Sequence, residues 1–134
     1  MDAEKSLVIK RGIFYEMFQH CLQEHPLSAR GILAGISECA EALEKMSSVA
    51  EQSADEAAAL REARTRLEGR GVKPFAHFRC HFSGGAVPTL DELDSFADPE
   101  MLLVIVSLQD GGVPMAKAYD VSDGRAIAVH IEIE

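Results

Sequence analysis

No apolar run in the chain approaches the roughly 20 residues that a membrane-spanning helix needs, which excludes a protein embedded by helices. Basic residues are few. Lys and Arg number 13 against 22 Asp and Glu, for a net charge of −9. Except for Arg61, Arg64, Arg66 and Arg70, which have acidic residues between them, the cations are scattered, and this argues against a nucleic-acid partner. Cysteine is also scarce: Cys21, Cys39 and Cys80 are odd in number, widely spaced and without a C-x-x-C pair. That excludes a disulfide framework or a structural zinc knuckle and suggests reduced thiols. The N-terminal MDAEKSLVIKRG has no long apolar stretch behind a basic start, so no secretory signal is expected and a cytoplasmic protein is. No repeat, low-complexity tract or linker divides the chain, and 134 residues suffice to bury a substantial core, so residues 1–134 are expected to form a single domain.

What is present reads as alternating strands and helices. Ser6 to Lys10 is β-prone, and from Gly12 to Glu24 the residues Ile13, Phe14, Met17, Phe18, Cys21 and Leu22 recur at helical spacing. Pro26 ends that helix, and Gly31 to Ile36 reads as a buried strand. Residues 37–52 have a helical composition in Ala, Glu and Leu but no clean stop, so no element is assigned there. Ser53 to Glu56 is a capping box; Ala57, Leu60, Ala63 and Leu67 form a stripe behind it, and Gly69 and Gly71 stop the helix.

The second half carries more β signal. Phe75 to His81 is a strand with His77, Arg79 and His81 on one face and Ala76, Phe78 and Cys80 on the other. Gly84, Gly85 and Pro88 break it, and Thr89 to Glu92 is a capping box opening a short helix through Phe96. Met101 to Val106 is apolar without alternation, as for a central strand covered on both faces. Met115 to Val121 and Ala126 to Glu134 form a hairpin about Ser122-Asp123-Gly124, and Ile127, Val129, Ile131 and Ile133 mark one buried face of its second strand. The expected class is α/β: a single mixed sheet flanked by helices.

Two segments in order resemble the JAMM/MPN family of zinc peptidases. The first is Ser6 to Ile36, with His25-Pro26 and then ARGILAGI where the family has E-x-C-G-L-L-x-G; the second is Gly71 to Leu108, where it has G-x-x-x-G-x-Y-H-S-H-P, a loop and S-x-x-D. The resemblance implies the cytidine-deaminase-like JAMM/MPN architecture. In the family, two histidines and an aspartate hold zinc, and a glutamate is general base to the bound water. Set on that motif, His81 matches the second ligand histidine, and Thr89 stands at the later serine. Arg79 replaces the first ligand histidine, Glu92 the ligand aspartate, Cys80 the intervening serine, Phe82 the proline and Ser28 the base. A guanidinium has no lone pair for a metal, and a hydroxyl is too weak a base near neutral pH. No catalytic residue and no cofactor are therefore expected, with His81 and Glu92 left as vestigial ligand positions.

Readings of single residues divide. Arg79 either fills the vacated metal position and pairs with Glu92 or is solvated, with Glu92 serving the cap. Cys80 beside His81 has the residue types of a nucleophile and its base, but adjacent strand positions diverge, which also weakens a His77, Cys80, His81 metal set. Cys21 and Cys39 read as apolar fillers, and His20, His25 and His130 as partly exposed structural residues. The leading expectation is a non-catalytic module binding a protein or peptide, a ubiquitin-like protein among the candidates, or a second copy of itself. Its groove would lie beside the Phe75 to His81 strand, lined by Phe78, Phe82 to Val87 and Thr89, where a peptide adds by backbone pairing. The alternative is a metallopeptidase with zinc on His81, Glu92 and a third group such as His77, acting on a peptide or the tail of a ubiquitin-like sulfur carrier.

Overall fold

A computed structural model of the chain describes residues 6–24, 30–36, 39–46, 56–81, 85–90, 93, 101–108, 115–122 and 124–134. They form β1 (Ser6–Ile9), α1 (Arg11–Glu24), β2 (Arg30–Ile36), β3 (Cys39–Met46), α2 (Glu56–Gly69), β4 (Lys73–His81), β5 (Leu102–Ser107), β6 (Met115–Ser122) and β7 (Arg125–Ile133). One mixed sheet in the order β1-β3-β2-β4-β5-β6-β7 curls until β1 meets β7. The β1–β3, β1–β7 and β4–β5 pairs are parallel and the others antiparallel. No helix among the described residues is long and apolar enough to cross a membrane.

The helices take opposite faces of the sheet. Met17 and Cys21, one turn apart on α1, are buried with Leu33, Ala76, Phe78, Cys80, Val104, Val106, Ala118 and Val129, and Phe14 stacks edge-to-face on Phe18 at 4.5 Å. Ala63 and Leu67, one turn apart on α2, pack on Ile32 and Ala34 of the other face. A Schellman closure ends α2: Val72 N–H donates to Leu67 C=O at 3.3 Å and Gly71 N–H to Glu68 C=O at 3.0 Å, with Gly71 at φ +81°. Val72 and Leu67 share one apolar cluster, the contact that accompanies this cap.

β5 lies between β4 and β6 and is buried on both faces, Val104 and Val106 toward α1 and Leu103 and Ile105 toward Ala86 and Tyr119. That explains its lack of alternation. Residues 39–46 are a strand although their composition is helical. Seven residues of β2 from Arg30 to Ile36 pair with them, and that ladder outweighs helix propensities of at most about 0.7 kcal/mol per residue. In β7, Val129 is buried but Ile127 is 63% exposed and Ile133 37%, so the expected inward face is buried only over part of its length. Alternation identifies the inward side but not how far along the strand the core extends. Both edges of β4 are occupied, by β2 and by β5, so the expected addition of a peptide to this strand by backbone pairing is corrected.

Candidate functional site

The site is built on the face of β4 turned away from α1. Phe78 and Cys80 point into the α1 core, so alternation turns His77, Arg79 and His81 the other way. Across β5 the register sets His77 opposite Leu103, Arg79 opposite Ile105 and His81 opposite Ser107. Across β2 it sets His77 opposite Ile32 and Arg79 opposite Arg30. His77 is buried, and Arg79, His81 and Arg30 are half-buried.

The chain after β4 folds back over this face. Leu108 N–H donates to the His81 carbonyl at 3.0 Å, and the His81 ring donates from Nδ1 to the Gly85 carbonyl at 3.2 Å. In the neutral ring that bond leaves the lone pair on Nε2, the tautomer a metal-ligating histidine uses. Ala86 is buried against Leu103, Ile105, Tyr119 and Val121, and the Tyr119 hydroxyl donates to the Ala86 carbonyl at 2.6 Å. Burial pushes the Tyr119 hydroxyl above the usual tyrosine range. Thr89 is exposed, and its carbonyl accepts from Leu93 N–H at 3.0 Å, the first intrahelical bond expected of an N-cap.

Of the residues singled out in the sequence, Arg79 and His81 share one face and Thr89 stands on the loop that returns over it. Ser28, Phe82 and Glu92 lie outside the described residues, as do His25, Asp91 and most of the expected Thr89 to Phe96 helix. Phe78 is fully buried and contributes to the core; it presents no surface to a groove. Cys80 is likewise fully buried beside Cys21, both as free thiols. The Cys80 hydrogen bond, followed by burial, drives the Cys21 thiol far above its ordinary value, which suits apolar fillers and not nucleophiles. Among the described residues, no three His, Cys, Asp or Glu side chains group at metal-binding distance.

Two contributors escaped the sequence reading. Arg30 lies opposite Arg79 across the ladder; its place two residues after Ser28 was the available signal. His20, read as partly exposed, is 94% buried: its ring lies 6.0 Å from Phe78, edge-on, and its Nε2–H donates to the Arg30 carbonyl at 3.2 Å. It ties α1 to the first residue of β2, and nothing in a helical repeat of apolar residues announces that bond.

No protein-family model matches the chain, and no curated protein matches it. Solved structures do. A protein from Desulfitobacterium hafniense is similar over 96% of this chain and 92% of its own, at 19% identity and a TM-score of 0.83. A JAB1/MPN domain protein from Archaeoglobus fulgidus is similar over 94% of this chain and 97% of its own, at 19% identity and a TM-score of 0.65. A structure described as a JAMM metalloprotease-like zinc site in the proteasome and signalosome is similar over 95% of this chain and 98% of its own, at 15% identity and a TM-score of 0.57. The strand and loop that carry Arg79, His81 and Thr89 thus belong to a chain with the JAMM/MPN fold.

Proposed function

We propose that this chain is a JAMM/MPN-fold domain without peptidase activity that acts in the cytoplasm by binding a protein, either a second copy of itself or a partner such as a ubiquitin-like protein. One observation carries the reading: Arg79, which the resemblance sets at the position of the family's first ligand histidine, lies opposite a second cation, Arg30, across the ladder. A guanidinium has no lone pair to give, and two of them repel a divalent ion. The proposed loss of zinc follows from that chemistry, and the serine at the base position adds a second, independent defect. Three large exposed apolar side chains support the binding role. Val87 and Leu90 on the returning loop are 59% and 79% exposed, and Met115, opposite Ser107, is 50% exposed. Exposed apolar side chains of this size mark a contact surface where they adjoin.

The test combines three measurements on protein purified without added metal: zinc content, hydrolysis of isopeptide-linked substrates, and mass in solution with capture of partners. Absent zinc, absent hydrolysis and a specific complex are expected. Stoichiometric zinc with turnover would replace the reading with the second one, a metallopeptidase using His81, Glu92 and a third group such as His77. The Nδ1–H bond of His81 to Gly85 is what favours that alternative, because it orients the ring as a ligand's second hydrogen bond does.

A further inference from the structure

We propose that α1 is the surface through which this chain pairs with a second copy of itself, the two helices lying antiparallel about a two-fold axis. The inference deepens the binding reading above and rests on its self-association arm. α1 turns Met17 and Cys21 into the core, with Phe14 and Phe18 partly buried beside them. Its apolar sector does not stop there. Tyr15 is 65% and Leu22 52% exposed, and with Arg11 and Phe18 they recur at steps of four, three and four residues. At 3.6 residues per turn these four positions fall within about 60° of the helix circumference, one narrow stripe flanking the buried face. That spacing is the seam of a helix pair, and the core behind Met17 and Cys21 does not cover it.

The charges of α1 select the occupant. Acidic residues favour the first turn of a helix and basic residues its last. α1 has neither: no acidic residue stands in its first turn, no basic one in its last, and its first position is Arg11, which is exposed. Glu134 is paired with Lys10, just ahead of the helix, at 3.7 Å. An antiparallel copy brings Arg11 to the C-terminal end of the other α1, where a cation is favoured, and symmetry makes the contact twice. A parallel copy would set the two Arg11 side by side. With Tyr15 opposite the second copy's Leu22, Phe18 falls opposite Gln19, so no charged residue enters the seam. Ile127 and Ile133 alternate with Val129 and Ile131, which pack in the α1 core, so the α1 side of the sheet carries further exposed apolar surface for a second copy to cover. The helix is 14 residues, about 21 Å long, and two chains of net charge −9 repel at long range. A transient dimer follows, with a Kd of about 10–100 µM.

The test is sedimentation equilibrium of the full chain from about 1 µM to about 1 mM, which brackets that range. A reversible equilibrium between one chain and two is expected. Tyr15→Glu and Leu22→Glu should each weaken it at least about tenfold, because each change enters a two-fold interface twice; both positions are exposed, and circular dichroism checks that the fold survives. Arg11→Glu separates pairing from a merely structural role. It should raise the melting temperature of the dilute single chain, since a carboxylate suits the first turn, while weakening the dimer. Tyr15→Cys and Leu22→Cys chains mixed with glutathione disulfide should form the mixed cross-link in preference to either symmetric one, because only the antiparallel pair brings 15 and 22 together. A mass that stays that of one chain at about 1 mM overturns the proposal and leaves this face to a different protein. A dimer indifferent to Tyr15→Glu and Leu22→Glu also overturns it, with self-association then standing through another surface. Preference for the symmetric cross-links overturns the antiparallel arrangement. Zinc content of the same sample judges the non-catalytic reading separately.

Discussion

Replacing Tyr119 with phenylalanine removes one oxygen and leaves the ring, which makes it a clean probe of what holds the returning loop over the site. Tyr119 is 8% exposed, and its hydroxyl donates at 2.6 Å to the carbonyl of Ala86, which is itself 4% exposed. A typical hydrogen bond contributes about 0.5–1.5 kcal/mol net, and leaving its buried partner unsatisfied costs about 1–3 kcal/mol. The phenylalanine no longer has a hydroxyl to desolvate, which offsets part of this, so a loss of about 1–2 kcal/mol is expected. Urea unfolding reads it as a lower midpoint at unchanged slope. Because the bond anchors residues 85–90, amide exchange there should accelerate by more than the global loss requires, while exchange in α1 should follow the global loss alone. A stability change under about 0.3 kcal/mol with unaltered exchange in the loop would refute the reasoning and show that apolar packing of Ala86 suffices to hold it.

Three further outcomes are expected. Folded Tyr119 and Cys21 both hold their protons more tightly than their ordinary values of 10.0 and 9.0, so above about pH 9 the unfolded chain deprotonates first and stability falls as pH rises. The loss should shrink in Cys21→Ala and Tyr119→Phe, and pH-dependent urea melts that stay flat from pH 8 to about pH 11 would contradict it. Gly71→Ala puts a side chain on a residue at φ +81° and should cost about 1–2 kcal/mol although no atom lies within 4 Å of the new Cβ, whereas Gly12→Ala, at an exposed position in the first turn of α1, should stabilise by about 0.5–1 kcal/mol; thermal melts of the pair separate backbone strain from packing. Arg79→His with Glu92→Asp should create zinc affinity measurable by calorimetry, without peptidase activity until Ser28→Glu is added; a double variant that binds zinc no better than the parent would break the motif register.

The residues that the sequence identified best were those whose pattern has a local cause. Met17 and Cys21 follow from a 3.6-residue period, the stop after α2 from Gly71, and the opposite faces of Phe78 and Arg79 from a two-residue period. Residues 39–46 stayed unassigned because their helical composition is a weak preference, and the ladder that β2 provides along them is what makes them a strand. Phe78 failed as a groove residue for a different reason. Position on a strand face reports which way a side chain points, but α1 decides whether that side is core or surface.

For the site, the chain itself specified that Arg79 and His81 share one face, since they are two residues apart on one strand and no folding is needed to relate them. The charge of a guanidinium is a property of the residue. That Arg79 has Arg30 for a neighbour was decided only by tertiary structure: 49 positions separate them in sequence (79 − 30 = 49), and the antiparallel register of β2 on β4 alone brings them opposite. The same holds for His20 reaching the Arg30 carbonyl and for Tyr119 reaching Ala86. Periodicity and composition act over one or two turns of chain, whereas these contacts depend on how the sheet curls and which strand ends meet, and no local preference encodes that.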